Sequence, residues 1–250
     1  MVNIIIISEM RVGSRWIHYL LRDLLGMKVS GELDAKELPH CDKLVQHRFS
    51  ENRIVKFHHA TQNDILNHIS GDYKIIGIVR NPRDRITSWT FHQRYKPSGK
   101  GLQVIKDAES DRKAVKITFD LKQGQLDNER QFILMVRGFS TKLFHDQYST
   151  QDRYIWTCYH WLLKDTFKEI KTIVKFLGLD IPDKKIREVI QKNSFKNRSG
   201  RVPGKEVRDN EWFRKGVEHD YEKFFDEEMI QQSRQITDEY WSRIRDEDTK

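Results

Sequence analysis

A glycine–serine pair lies at the centre of residues 11–16 (RVGSRW), where an apolar run gives way to an amphipathic one. Glycine lets backbone N–H groups approach a ligand closely, and the N-terminus of a helix attracts an anion. Ser14 adds a hydroxyl donor, and Arg11 and Arg15 add charged donors. The segment therefore predicts a phosphate cradle, with an ordinary capped helix as the alternative. It is not the loop of nucleotide triphosphatases, because the pattern G-x-x-x-x-G-K-[ST] is absent.

Two further clusters carry cations beside proline, serine or glycine. Arg80 opens the segment RNPRD after an apolar run, and Ser88 follows eight residues later. Ligands gather at the carboxyl ends of strands in open α/β sheets, so this pair is a candidate for a second phosphate site. Arg214, Lys215 and Gly216 combine two cations with a glycine, which suits phosphate capture by backbone and side chains. For both clusters the alternative is ordinary solvated surface charge.

Two adjacent histidines, His58 and His59, follow the apolar run at residues 53–57. Histidine titrates near neutral pH and therefore suits the role of a general base. Side chains alternate across a strand, so the two histidines would point to opposite faces and one of them would face a site.

Alternating strands and helices must position these residues. Short apolar, mostly β-branched runs predict strands, and apolar residues at helical spacing predict helices. A helix starting at Ser14, as its N-cap, would end at Gly26. This alternation predicts an α/β fold of one domain over residues 1–250, with a central parallel sheet flanked by helices. The predicted strands are 2–7, 53–57, 74–79 and 153–159, and the predicted helices are 14–25, 64–69, 82–94, 162–177, 183–192 and 229–244, with helical pieces in 102–150.

Composition excludes several classes of protein. The 250 residues are 37% hydrophobic and 33% charged, and no stretch approaches the ~20 apolar residues of a spanning helix, which excludes an integral membrane protein. The net charge of +8 suits a polyanionic partner, whether nucleic acid, an anionic membrane or a phosphorylated ligand. Two cysteines, Cys41 and Cys158, exclude a disulfide scaffold and favour a reducing cytosol. No signal peptide is recognised, so we expect a cytoplasmic protein.

In their order and spacing the three clusters resemble the sulfotransferases that use 3′-phosphoadenosine 5′-phosphosulfate (PAPS), over roughly residues 2–230. The family's first loop, P-K-S-G-T-T-W, matches M-R-V-G-S-R-W at 10–16, and its R-N-x-x-D…S, which holds the 3′-phosphate, matches 80–88. Its catalytic K-x-H matches Lys56-Phe57-His58, which favours His58 over His59 as the base. Further matches join S-F to 194–195 and R-K-G-x-x-G-D-W to 214–221, and a weaker one joins Y-E-D-L to 159–162.

The resemblance implies a P-loop-kinase-like sulfotransferase fold and transfer of sulfonate from PAPS to a hydroxyl or amine of a small-molecule acceptor. A histidine base would promote in-line displacement, adenosine 3′,5′-bisphosphate (PAP) would be the product, and no metal would be needed. The implied catalytic residues are His58 and Arg11, with His58 and His59 near the acceptor. The implied donor-binding residues are Arg11, Val12, Gly13, Ser14, Arg15, Trp16, Arg80, Ser88, Tyr159, Phe195, Arg214, Lys215 and Gly216, of which Trp16, Tyr159 and Phe195 would contact adenine.

Three departures from the family pattern stand out. Arg11 replaces the family's lysine and is a larger planar donor that stays protonated. Both acidic residues that follow the family's tyrosine are absent after Tyr159. The family's dimer motif, K-x-x-x-T-V-x-x-x-E, falls on 222–231 and is not preserved, so the sequence leaves the oligomeric state open.

The acceptor has no signature that the sequence reveals. In the family it is set by loops that correspond here to about residues 30–50, 92–150 and 197–212, the last two being variable acceptor or lid segments. The chain looks more like cytosolic or bacterial enzymes that modify small alcohols, phenols or amines, including tailoring enzymes of natural products or toxins. The alternatives are a kinase-like phosphotransferase, which would lack its phosphate-loop lysine, and a basic nucleic-acid-binding module. We expect no nucleic-acid partner, because the cations lie at phosphate-cradle positions rather than along one stripe. We expect no membrane partner either.

Overall fold

The computed structural model describes residues 3–8, 10–34, 53–58, 72–95, 102–121, 153–205 and 215–234. The chain divides into two compact units, the first formed by Met1–Val79 and Leu134–Ser194 and the second by Arg80–Ile133 and Phe195–Lys250. The elements, in chain order, are β1 (Ile4–Ser8), α1 (Ser14–Leu25), β2 (Lys28–Asp34), β3 (Arg53–His58), β4 (Lys74–Val79), α2 (Pro82–Arg94), α3 (Gln103–Lys106), α4 (residues 111–121), β5 (Tyr154–Cys158), α5 (Tyr159–Lys164), α6 (Thr166–Phe176), α7 (Asp183–Lys192), α8 (Phe195–Ser199), a 3₁₀ turn (Asp220–Lys223) and α9 (residues 227–234).

A parallel sheet forms the centre of the first unit. Its five strands lie in the order β2-β3-β1-β4-β5, and each neighbouring pair is parallel. The four isoleucines of β1 are fully buried although they alternate between the two faces of the sheet. A continuous apolar run is what a strand covered on both faces requires. The α/β class and the central parallel sheet are therefore confirmed.

Helices α1, α6 and α7 share one hydrophobic core with this sheet. Apolar residues recur on one side of each helix at a spacing of three or four, so each presents an apolar stripe. The core residues include Ile4, Ile6, Leu20, Leu21, Leu24, Ile76, Ile78, Ile170, Ile173 and Ile186.

A separate apolar cluster holds the second unit together. It joins α2, α4 and the region of the 3₁₀ turn, with the Phe119 and Phe225 rings 5.5 Å apart in an edge-to-face contact. Its buried members are Ile86, Phe91, Val115, Phe119, Tyr221, Phe225 and Met229.

The structure corrects several predicted boundaries. Strand β2 was not predicted, because its sequence KVSGELD has no apolar alternation and its assignment depends on pairing with β3. The predicted helix 162–177 is two helices, because the chain breaks at Asp165, whose carboxylate caps α6 by accepting from the Lys168 N–H. The predicted strand 153–159 ends at Cys158, since the Sγ atom of this residue accepts from the Trp161 N–H and starts α5 at Tyr159.

Other predictions are confirmed in part. Strand 2–7 is found as Ile4–Ser8, and helices 14–25, 82–94 and 183–192 have the predicted bounds. Helix α8 was not predicted and precedes the expected lid segment 197–212 with a partial overlap. The predicted terminal helix 229–244 begins at 227, and its part beyond 234 lies outside the described residues, as does the predicted helix 64–69.

Candidate active site

The loop between β1 and α1 contains two residues in the left-handed region of backbone conformation. Arg11 has φ 70° and Gly13 has φ 94°. This conformation is accessible to glycine and costs another residue about 1–2 kcal/mol. Val12, between them, is buried. Strained backbone of this kind persists where surrounding structure holds it, and it clusters at ligand sites.

Tyr159 packs directly on this loop. A Cβ atom added at Gly13 would lie 2.6 Å from Cδ2 of Tyr159, so the ring rests on the glycine backbone. The same ring makes an edge contact with Trp16, with centroids 6.2 Å apart and an interplanar angle of 71°. Gly13 is therefore required both by its φ and by the space that Tyr159 occupies. The structure thus brings together the cradle and two of the predicted adenine contacts.

Gly13, rather than Ser14, is the N-cap of α1, which corrects the prediction. The Gly13 carbonyl accepts from the N–H of Trp16 at 2.9 Å, whereas no side chain caps the helix. Ser14 is the first helical residue and is buried, and Arg15 follows it half-buried. The N–H groups of Ser14 and Arg15 precede the intrahelical hydrogen-bond ladder and lie at the positive end of the helix dipole. This geometry can hold an anion.

His58 lies at the same edge of the sheet as the cradle. It is the last residue of β3, and its Cα pairs with those of Ser8 in β1 and Asp34 in β2. Because β1 and β3 are parallel and in register, the loops that follow them leave the sheet at one edge. His59 lies outside the described residues.

In the second unit, residues at the start of α2 bind a loop formed by residues 215–221. Asn81 caps the helix by accepting from the Arg83 N–H at 2.9 Å, and Pro82 occupies the first turn, where its missing N–H costs nothing. Arg80 donates from Nη2 to the carbonyl of Val217 at 3.1 Å. Ser88, two turns into α2, is buried.

Two buried carboxylates also fix the 215–221 loop. Asp84 accepts from the N–H groups of His219 at 2.9 Å and Tyr221 at 3.4 Å. Asp220 lies 2.7 Å from the ammonium of Lys215, and the two side chains are 1% and 8% exposed. Asp84 is the aspartate of the R-N-x-x-D…S match, but sequence reasoning assigned no role to either aspartate. For Asp220 the signal that could have found it is an acidic residue within a cluster of cations.

Phe195 lies directly over Gly216. A Cβ atom at Gly216 would collide with Cδ2 of Phe195, and Gly216 has φ 65°. The guanidinium of Arg201 lies 5.6 Å from the centre of the Phe195 ring. The structure thus places Phe195 with Lys215 and Gly216, while Arg214 lies outside the described residues.

Over the described ranges, no group of three histidine, cysteine, aspartate or glutamate side chains is placed to hold a metal ion. None of the helices in those ranges combines the length and the apolar character needed to cross a membrane.

Comparison with known proteins identifies the family. The sulfotransferase domain profile matches residues 3–245, so the chain belongs to the sulfotransferase family. No match was found among curated protein sequences. The family match confirms the resemblance that the motifs indicate.

Solved structures show the same fold. Mouse sulfotransferase SULT7A1, complexed with PAP, is 18% identical, with 95% of this chain and 83% of that chain covered and a TM-score of 0.69. Retinol dehydratase, solved with androsterone and the inactive cofactor PAP and also with retinol and PAP, is 16% identical, with coverages of 95% and 80% and a TM-score of 0.64. The predicted sulfotransferase fold is therefore confirmed.

Proposed function

We propose that this sulfotransferase moves the sulfonate group of PAPS to a hydroxyl or amine of a small-molecule acceptor. The observation that carries the proposal is the Gly13 cradle, whose left-handed glycine lies under the Tyr159 ring at the start of α1. A cradle of this kind suits an anionic group next to an aromatic base. The complexes of SULT7A1 and retinol dehydratase with PAP support the choice of donor.

The cradle would bind the phosphosulfate end of the donor. Arg11, Ser14, Arg15 and the loop amides provide donors to the charge that grows on the leaving 5′-phosphate as the S–O bond to it breaks. Arg11 stays protonated and can pair with two oxygens at once. Trp16, Tyr159 and Phe195 would contact the adenine.

The second cluster would recognise the 3′-phosphate. Arg80, Ser88, Arg214 and Lys215 combine with the left-handed Gly216, which suits a phosphate. Recognition there would fix the position of the donor along the site and so align it for in-line displacement.

His58 would act as the general base. It would take the proton from the acceptor hydroxyl or amine as the new bond to sulfur forms. Its position at the end of β3, on the edge where the cradle begins, supports this role. His59 is the alternative base, because it follows in the chain and would point the other way from a continued strand.

We further propose a cytoplasmic enzyme of one sulfotransferase domain that tailors small molecules, with residues 92–150 and 197–212 choosing the acceptor. The low cysteine content supports that location. The unpreserved dimer motif at 222–231 gives no support to dimerisation through that segment.

The test is an acceptor screen with PAPS, in which mass spectrometry detects acceptors that have gained one sulfonate. We expect turnover by the wild type, near-complete loss in His58→Ala with PAP binding retained, and substantial activity in His59→Ala. A dead His59→Ala beside an active His58→Ala would make His59 the base. Phosphoryl transfer from ATP, without sulfonate transfer from PAPS, would overturn the proposed function.

A further inference from the structure

The strongest feature outside the reaction itself is the buried ion pair of Lys215 and Asp220. Their charged atoms are 2.7 Å apart, and both side chains are nearly excluded from solvent. An ammonium or a carboxylate in such surroundings is costly unless it is paired. Lys223 also approaches Asp220, at 3.6 Å, but its side chain is 65% exposed. Lys215, five residues away in the same loop, is therefore the buried cation paired with Asp220.

The pair belongs to a frame that gives the 215–221 loop its shape. Asp84 anchors the far end of the loop through two backbone N–H groups, and Arg80 anchors its middle through the Val217 carbonyl. The Lys215 carbonyl accepts from the N–H of Gly204 at 2.9 Å, which anchors the near end. The ion pair links the two ends of the loop to each other.

This frame determines what the loop can offer a ligand. Gly216 lies next to Lys215, in a left-handed conformation under the Phe195 ring. A shift of the loop would move the Gly216 backbone and Phe195 together, because no space separates them. The Lys215 ammonium, in contrast, is directed to a carboxylate that compensates its charge.

We infer that Lys215 is a positioning residue, which acts through Asp220 to hold the Gly216 backbone and Phe195 in place for the donor's 3′-phosphate and adenine. This inference rests on the proposed function, and it changes the role of Lys215 there from direct phosphate ligand to support of the loop. If Lys215 bound the phosphate directly, removal of the neighbouring Asp220 charge would strengthen PAP binding. If Lys215 is a positioning residue, the same change removes its partner and weakens PAP binding.

The test measures PAP affinity by calorimetry in Lys215→Met, Asp220→Asn and the double variant. We expect each single variant to bind PAP at least ~10-fold more weakly, since each leaves a buried charge without its partner. The double variant should lose less than the product of the two single effects. In steady-state assays the single variants should raise the KM for PAPS far more than they lower kcat.

Lys116→Met is the matched control for charge. It removes one cation from the same unit at an exposed pair with Glu228, so PAP affinity should stay at the wild-type value. If a single variant fails to fold, the salt dependence of PAP binding by the double variant decides, because the double variant keeps the wild-type net charge. An unchanged salt dependence supports positioning, and a shallower one indicates a lost phosphate contact.

The outcomes separate the inference from the function it rests on. Asp220→Asn that binds PAP as tightly as the wild type, or more tightly, would overturn the positioning role while leaving the proposed function standing. A folded wild type that binds no PAP would overturn the proposed function itself.

Discussion

At the scale of single residues, the role of Gly13 is weakly indicated by the sequence and becomes specific in the structure. A glycine before a helix is common, and its pattern alone fits an ordinary cap. The structure adds a left-handed φ and the Tyr159 ring, which leaves no room for a side chain. The residue before the helix therefore serves both the backbone turn and the packing of a predicted adenine contact.

Gly13→Ala should weaken PAP binding at least ~10-fold, because the added methyl must displace Tyr159 while the backbone is strained by about 1–2 kcal/mol. Gly26→Ala is the matched control at the other end of α1. Gly26 has φ 62° but open space around its Cβ position, so this variant carries the strain without the collision. Calorimetry with PAP and thermal unfolding of both variants make the comparison. Equal loss of PAP affinity in the two variants would contradict the role of Tyr159.

Asp23, on α1, predicts a pH dependence of stability. Its burial raises the pKa, but hydrogen bonds and charge from Arg22, Asn193 and Lys192 outweigh this and hold the pKa at about 2, below the ordinary 3.8. The carboxylate therefore contributes stability that is full above pH 3.8 and is lost as pH falls toward about 2.

Urea unfolding at several pH values tests this contribution. The free energy of unfolding should fall more steeply for the wild type than for Asp23→Asn between pH 3.8 and about 2. Asp180→Asn, which removes an exposed carboxylate and leaves the Asp23 network intact, should follow the wild type. Parallel curves for the wild type and Asp23→Asn would show that the network contributes no pH-dependent stability.

At the scale of elements, the strands and helices that the sequence predicted correctly are those whose apolar pattern lies within the element itself. The isoleucines of β1 and the apolar stripe of α1 were found with nearly the right bounds. Strand β2 was missed because its pairing with β3 depends on residues distant in the chain. The break at Asp165 was missed because apolar spacing continues across it, although the capping aspartate was visible in the sequence.

Asp165→Ala should destabilise the first unit by about 1 kcal/mol, because the N–H of Lys168 loses its capping acceptor at the start of α6. Asp165→Asn keeps an acceptor at the same place and should remain close to the wild type. Urea denaturation at neutral pH gives both free energies. Equal stability of the alanine variant and the wild type would show that α6 does not depend on this cap.

The site, like the elements, has parts that the sequence predicted and parts that it did not. Motif order predicted the cradle, His58 at the end of β3 and the cluster around Arg80, since each follows a strand that the sequence reveals. The contacts of Asp84 and Asp220 could not be predicted, because they depend on which backbone N–H groups and which ammonium the folded loop presents to each carboxylate.

At the scale of the whole molecule, the net charge of +8 left the partner open. Arg11, Arg15 and Arg80 lie in or beside candidate phosphate sites, so part of this charge has a small-molecule explanation. Lys215 is compensated internally by Asp220 and contributes little to the external field. Membership of the sulfotransferase family directs attention to one ligand that carries two separate phosphate groups.

Calorimetric titration of the wild type with PAP and with 5′-AMP, which lacks the 3′-phosphate, tests the central claim most directly. PAP should bind, 5′-AMP should bind at least ~10-fold more weakly, and Arg80→Ala should bring the PAP affinity close to that of 5′-AMP, because charged hydrogen bonds to the 3′-phosphate are lost in both cases. Absence of PAP binding by the folded protein, or equal affinity for the two nucleotides, would contradict the account.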